Sequence, residues 1–286
     1  MKSHRGADFG ALFYSRLIYG PCKMPPMSKS IPDFHLVLYH QMARLAALAG
    51  GAKALKYFRK NVPVIKKVDR SPVTRADREA EQAIRKVLAK AFPDHQLCGE
   101  EFGWDKKANP DFRWWIDPVD GTRQFIRGIP FWGTLVALEY KGEVIVGVIH
   151  HPALRLTIWA AKGLGCFANG RRVKVSGIKN IKKGTMTYGG MRLTPKSYRT
   201  KLTNLIAQCY DDRGYGDCYG HSLIIQGMAE AMLDPVVQPY DVAAIKICVE
   251  EAGGKFTDLK GKSTIQGGDA LSSNGLTHSQ VLRAIR

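Results

Sequence analysis

From residue 33 to 60, apolar side chains recur every third or fourth position: Phe34, Val37, Leu38, Met42, Leu45, Leu48, Ala49 and Leu55. That period predicts an amphipathic helix. Gly50-Gly51 is a soft point at which a kink is expected, and Lys53, Lys56, Arg59 and Lys60 fall where a helix dipole favours cations. Val62–Val68 reads as a strand or a hairpin arm, and Ser71–Thr74 as a connector. A second helix is predicted over 75–92, with Ala80, Ile84, Val87, Leu88 and Ala91 on one face and Pro93 ending it.

Beyond residue 95 the pattern becomes that of strands. Gln96–Cys98, Phe112–Ile116, Thr134–Tyr140, Val144–His150, Leu156–Ala160, Cys166-Phe167 and Arg172–Val175 are predicted strands, with Lys141-Gly142 and Asn169-Gly170 as turns. The strand Phe112–Ile116 is expected to stop at Asp117-Pro118, because proline has no N–H to continue a ladder. Met186–Gly189 opens a second half, with helices over 195–209 and 219–232 and a strand piece at Val236-Val237. A helix over Ala243–Ala252 closed by Gly253-Gly254, strands at Lys255–Asp258 and Leu271–Ser273, and a last helix from Ser279 complete it. Meandering strands with paired helices predict an α+β chain in layers, not a βαβ repeat.

Composition narrows the function class. With 286 residues, 45% of them hydrophobic, the chain can build one large domain or two closely packed ones. No apolar run approaches the roughly 20 residues a membrane helix needs, so no membrane partner is expected. Cysteines at 22, 98, 166, 209, 218 and 248 form no C-x-x-C pair and no zinc spacing, and read as reduced thiols of a cytoplasmic protein. The net charge is +18, and residues 1–70 carry 13 Lys/Arg against 3 Asp/Glu, a net of +10. Such a bias can attract RNA, an anionic membrane or a phosphorylated substrate, or be a solvated surface. Residues 1–30, with Pro21, Pro25 and Pro26 and alternative starts at Met24 and Met27, read as a disordered extension without catalytic residues. Its apolar stretch Ala11–Tyr19 is broken by Arg16, which is poor for a secretory signal.

Candidate chemistry concentrates where strands meet helices. In Trp115-Ile116-Asp117-Pro118-Val119-Asp120-Gly121-Thr122, two carboxylates three residues apart meet a Gly-Thr pair that can open a helix. Hard divalent cations need carboxylate oxygens, and phosphate needs backbone N–H groups at a helix start. Other acids sit at element ends: Asp77, Glu100-Glu101 and Asp241. Taken singly, Asp77 is an ordinary first-turn acid and Glu100-Glu101 a solvated loop. Asp241 is either the N-cap of a helix beginning at Val242 or a metal ligand. Arg123 and Arg192 either line a phosphate mouth or make surface salt bridges. Asp217 either caps a helix or pairs with a cationic substrate. His150-His151 lack a third ligand at metal spacing and read as structural, and Trp132 reads as core.

Taken in order, three words resemble the inositol-monophosphatase-like superfamily of lithium-sensitive, magnesium-dependent phosphatases. They are Gly99-Glu100-Glu101; Asp117-Pro118-Val119-Asp120-Gly121-Thr122; and Tyr240-Asp241-Val242-Ala243-Ala244 followed by Glu251-Ala252-Gly253-Gly254. The resemblance spans residues 33–286. Gly99–Gly103, Gly121–Ile126, Pro130–Leu135 and Gly216-Asp217-Cys218-Tyr219 look most like its histidinol-phosphate phosphatase branch. Inositol-specific members usually carry Thr-Asn-Phe after the Gly-Thr and Trp before the later Asp, where this chain has Arg123-Gln124-Phe125 and Tyr240.

The resemblance implies a layered α/β/α/β/α sandwich, with an N-terminal half over 31–183 and a C-terminal half over 184–286. It implies that Glu100, Asp117 and the Val119 carbonyl bind one Mg²⁺, and that Asp117, Asp120 and Asp241 bind a second. Glu100 with waters would hold a weaker third, and Glu101 is the second acid of the pair. Asp77 and Thr122 would orient the attacking water, making Asp77, Glu100 and Thr122 the catalytic set. Gly121, Thr122 and Arg123 would hold the phosphate, and Asp217 and Asp241 would meet the substrate. The implied reaction is hydrolysis of L-histidinol phosphate in histidine biosynthesis by a homodimer acting on a small phosphorylated metabolite. Inositol-1-phosphate and sugar phosphates are the alternative substrates, and a nucleotide 3′-phosphate a weaker one. RNA binding through the basic N-terminal region is the alternative of another class.

Overall fold

Helix α1 (Asp33–Leu55) runs unbroken through Gly50-Gly51. A Cβ on Gly50 would come within 2.6 Å of Ile84 Cδ1, so this glycine marks the close approach of a second helix, not the expected kink. The helix ends at Leu55, five residues short of the expected 60, in turns that include Arg59 at φ +59°. The structure, a computed structural model, describes residues 33–60, 63–66, 72–105 and 109–286. The extension 1–30 and the flanks of the expected strand 62–68 lie outside the described residues. Strands β1 (Val64–Lys66) and β2 (Pro72–Thr74) pair antiparallel and lead into α2 (Arg75–Ala91).

An eight-stranded sheet follows, built from β3 (His95–Gly99), β4 (Gly103–Asp105), β5 (Asn109–Asp120), β6 (Gly133–Tyr140), β7 (Glu143–His151), β8 (Leu156–Ala161), β9 (Gly165–Ala168) and β10 (Arg171–Val173). Its order is β10-β9-β8-β7-β6-β5-β3-β4, antiparallel except where β3 runs parallel to β5. The short helix α3 (Thr122–Ile126) leaves the end of β5. Next come β11 (Thr185–Tyr188), α4 (Lys196–Ile206), β12 (Asp211–Arg213) and α5 (Asp217–Ile225). They are followed by β13 (Ala231–Asp234), α6 (Pro239–Glu251), β14 (Lys255–Thr257), β15 (Ala270–Ser273) and α7 (His278–Ile285). The second sheet has the order β12-β11-β13-β15-β14.

Helices α1 and α2 cover one face of the large sheet, and α6, beside α5, covers the other. The second sheet meets α6 through β14 and β15, and its far side carries α4 and α7 around Met186, Leu202, Leu233, Leu271 and Val281. The result is α/β/α/β/α layering. A Cβ on Gly147 of β7 would lie 2.4 Å from Ile247 Cγ2 and 2.6 Å from the Ala244 carbonyl oxygen. That glycine lets α6 rest directly on the sheet, burying Ala244, Ile247 and Cys248 against Leu135, Ala137 and Ile149.

Two expectations shift in the second half. The helix expected over 219–232 stops at Ile225, and 231–234 is a strand, so the expected strand piece at Val236-Val237 lies four residues too late. The run from Leu223 to Val237 is apolar almost throughout, so periodicity cannot divide it. Gly227, at φ +72°, follows the helix end, and a Cβ there would lie 2.9 Å from the Lys174 carbonyl oxygen. Helix α4 is also shorter than the expected 195–209.

Candidate active site

The expected stop at Asp117-Pro118 does not occur: β5 continues to Asp120. Asp117 pairs with Leu135 and Asp120 with Gly133, so Pro118 and Val119 together oppose Thr134. This is a β-bulge, a position at which a proline is tolerated inside a sheet. The Thr134 hydroxyl donates to the Pro118 carbonyl at 2.8 Å. Strict pleating would point residues 117 and 120 to opposite faces; the extra residue resets the alternation and brings both carboxylates to one cavity. Glu100 arrives from the neighbouring strand. Gly99 of β3 sits opposite Ile116 of β5, and the Glu100 N–H donates to the Ile116 carbonyl at 3.2 Å.

Asp241 comes from α6. The helix starts at Pro239, not at Val242, so Asp241 is its third residue and Gln238 is the N-cap. Proline suits that first helical position because its missing N–H would have had no helical partner. Asp241 Oδ2 accepts the Gln238 N–H at 2.7 Å. Asp120 Oδ2 in turn accepts the Cys218 N–H at 2.5 Å.

Oxygens of Asp117, Asp120 and Asp241 lie within 4.8 Å of one another. With Glu100, Val119, Gly121, Thr122, Arg123, Gln124 and Asp217 they line a cavity of about 140 Å³. Five carboxylates there face a single guanidinium, that of Arg123. Burial, then the charges of Glu100, Asp120 and Asp241, holds the Asp117 carboxyl well above the usual carboxylate range. Burial, then Asp217 and Asp241, does the same to Asp120. Asp241 is pushed up to about 8, chiefly by burial. Hard oxygen donors with uncompensated negative charge are the donor set a divalent cation such as Mg²⁺ takes, so the residues fit that ion.

Asp77 stands behind this cavity, not on it. It is 1% exposed. Its Oδ2 accepts from the Thr74 N–H at 2.8 Å and the Thr74 hydroxyl at 2.6 Å, the capping box that starts α2. Oδ1 remains, 3.5 Å from the Thr122 hydroxyl, which donates to the Val119 carbonyl at 3.0 Å. Burial pushes the Asp77 carboxyl up to about 6. Gly121, at φ +83°, makes the left-handed turn from β5 into α3. A side chain there would be strained and would meet the Phe131 carbonyl oxygen at 3.1 Å.

Asp217 forms the opposite wall. It is not a cap: Gly216 takes that place, and Asp217 is the first helical residue, at φ +58°. Such a conformation is uncommon outside glycine and strained for most residues. The Gln124 amide donates to Asp217 Oδ2 at 2.5 Å, and the Asp217 N–H donates to Asp234 Oδ2 at 3.1 Å. Burial and the Asp234 charge push Asp217 up to about 7. Arg192 is exposed on a separate turn and is not among the lining residues.

Glu101 is not on the cavity wall either; its N–H donates to Glu81 at 2.7 Å. His151 bridges the Trp132 carbonyl and the Ser222 hydroxyl, His150 meets Thr157, and Trp132 is fully buried. Sequence reasoning names neither Glu81 nor Asp234, and it quotes Gln124 and Cys218 only within words of the resemblance, without these contacts. Glu81 had a signal, since it lies one turn after Asp77 on the same helix.

The description of the Inositol monophosphatase family matches residues 37–286. A histidinol-phosphatase of Chlorobaculum parvum is 40% identical over 253 residues, covering 86% of this chain and 95% of that protein. A histidinol-phosphatase of Mycobacterium tuberculosis is 36% identical, covering 76% of this chain and 85% of that one. The solved structure of the extragenic suppressor protein suhB from Bartonella henselae superposes with a TM-score of 0.80 at 27% identity, over 89% of this chain and 98% of that one. Fold and relatives together define a phosphatase, a hydrolase of phosphate esters. The chain belongs to the inositol monophosphatase family.

Proposed function

We propose that the protein is a Mg²⁺-dependent phosphomonoesterase that hydrolyses L-histidinol phosphate to L-histidinol and phosphate. Glu100, Asp117, Asp120 and Asp241, with the Val119 carbonyl, would hold two Mg²⁺ ions with Asp117 shared, and Glu100 a weaker third. Bound there, Mg²⁺ offsets the charge of the phosphate dianion and lowers the pKa of bound water. The chain supplies the rest. Thr74 occupies one oxygen of Asp77, so the other is left to take a proton relayed through Thr122. The N–H groups of Gly121, Thr122 and Arg123 receive the phosphate oxygens, and the Arg123 guanidinium adds positive charge. No covalent phospho-enzyme is required.

The observation that carries the substrate is Asp217. It is a carboxylate on the cavity wall, held by Gln124 on a backbone of positive φ. Histidinol phosphate presents an ammonium and an imidazole for it to pair with, whereas inositol-1-phosphate presents only hydroxyls. The histidinol-phosphatase names of the two relatives support the same substrate. The expected assembly is a cytoplasmic homodimer, checked by light scattering.

The test is phosphate release from L-histidinol phosphate and myo-inositol-1-phosphate side by side with Mg²⁺. A kcat/KM ratio of about a hundredfold or more, roughly 2.7 kcal/mol of transition-state discrimination, is expected in favour of histidinol phosphate. The reverse ratio would remove this substrate and leave the phosphatase chemistry standing.

A further inference from the structure

Glu81 lies in α2, fully buried, and lines neither the cavity nor the surface. A buried carboxylate is costly unless its oxygens are occupied, and here both are. Oε2 accepts the Glu101 N–H at 2.7 Å; Oε1 accepts Arg85 Nε at 2.7 Å and the Phe102 N–H at 3.3 Å. Arg85 continues the grip, donating Nη2 to the Gly103 carbonyl at 2.5 Å and laying its guanidinium 5.9 Å from the Phe102 ring centroid. Gly99 completes it, since a Cβ there would sit 2.0 Å from Glu81 Oε1.

The Glu81–Arg85 pair therefore contacts the loop before, after and beyond residue 100. Glu100 itself is tied by its N–H to the Ile116 carbonyl and lines the cavity, where the charge of its carboxylate acts on Asp117 and Asp241. Two anchors, one on each side of a single residue, fix where that carboxylate can go.

We propose that Glu81 is a positioning residue for the cation site: by clamping the 99–103 loop it fixes Glu100 and sets the affinity for Mg²⁺ without touching ion or substrate. The proposal rests on Glu100 being a ligand. Gln at position 81 keeps one acceptor but turns an NH₂ group toward a loop N–H, so the clamp loosens while the volume is retained.

The experiment is Mg²⁺ titration by calorimetry of the full chain, for wild type, Glu81→Gln, Glu100→Gln and the double variant. Outer partners of metal ligands typically contribute about 10–100-fold in metal affinity. Glu81→Gln is expected to weaken Mg²⁺ binding at least about tenfold, with the KM for substrate at saturating Mg²⁺ unchanged. The double variant is expected to bind no more weakly than Glu100→Gln, because Glu81 acts only through Glu100. Wild-type affinity in Glu81→Gln, or a further loss in the double variant, overturns the proposal. Wild-type affinity in Glu100→Gln overturns it from the other side, by removing Glu100 as a ligand. If Glu81→Gln does not fold, Arg85→Met decides: it removes the Arg85 bonds to Gly103 and Glu81 while leaving the Glu101 and Phe102 N–H groups on Glu81. A several-fold loss of Mg²⁺ affinity supports the clamp, and unchanged affinity overturns it.

Discussion

The two walls of the cavity are built by different means. On one, Glu100, Asp117 and Asp120 stand at the ends of adjacent paired strands, their spacing set by backbone register and one bulge. On the other, Asp217 is held by a side chain 93 residues away in the chain and by Asp234, with its own backbone in a strained region. The wall that the sheet makes rigid presents the carboxylates that, on the proposed mechanism, hold the cations any phosphate ester needs. The side-chain-held wall can be altered without dismantling that sheet, which makes it the place proposed to set the substrate.

The largest effect should come from breaking the first wall. Asp117→Asn is expected to lower kcat/KM by about a thousandfold or more on every phosphate ester tried, equivalent to roughly 4 kcal/mol of charge stabilisation. Circular dichroism should show an intact fold. Removing the proton path is milder: Thr122→Val should reduce kcat by about a hundredfold, with calorimetric Mg²⁺ binding preserved. If both constants fall together, Thr122 belongs to the first wall and not to the proton path.

The sequence displays these two walls unequally. The words around Glu100, Asp117, Asp120 and Asp241 are short and local, so residue types and order alone point to a cation and a phosphate. How those carboxylates converge was not legible. Pro118 reads as a strand terminator, and only pairing with Thr134 makes it part of a bulge. Asp241 reads as either an N-cap or a ligand until Pro239 is seen to start the helix. Asp217 depends on Gln124 and Asp234, contacts between distant segments that no local pattern displays. The apolar run through residues 223–237 misleads for a related reason: helix or strand is settled there by neighbours, not by period.

Charge provides a subtler probe. Burial raises Asp217 to about 7 and Asp241 to about 8, above the ordinary carboxylate value. At these two positions the folded, metal-free chain therefore holds more protons than the unfolded one near neutrality. The contribution of these two carboxyls to folding is fullest below their unfolded values and is lost as pH rises through about 7 to 8. Mg²⁺ replaces those protons, so the rise in Tm on adding it should be larger at pH 8 than at pH 5.5. At a hundredfold excess over Kd the gain is about 2.7 kcal/mol. An equal rise at both pH values would mean that the cation binds away from the buried carboxylates. The smallest effect sharpens the second wall. Asp217→Gly should raise stability by about 1 kcal/mol, read as a higher Tm, because glycine accepts the left-handed backbone freely. A lower Tm would show that the Gln124 contact outweighs the strain.

If the strand-end wall does the chemistry and Asp217 chooses the substrate, Asp217→Asn should separate the two. The measurement is kcat/KM for L-histidinol phosphate and myo-inositol-1-phosphate in wild type and variant, at saturating Mg²⁺. The preference for histidinol phosphate is expected to fall at least about tenfold, some 1.4 kcal/mol, while turnover of inositol-1-phosphate stays near the wild-type value. An unchanged preference, or an equal loss on both substrates, would contradict that division.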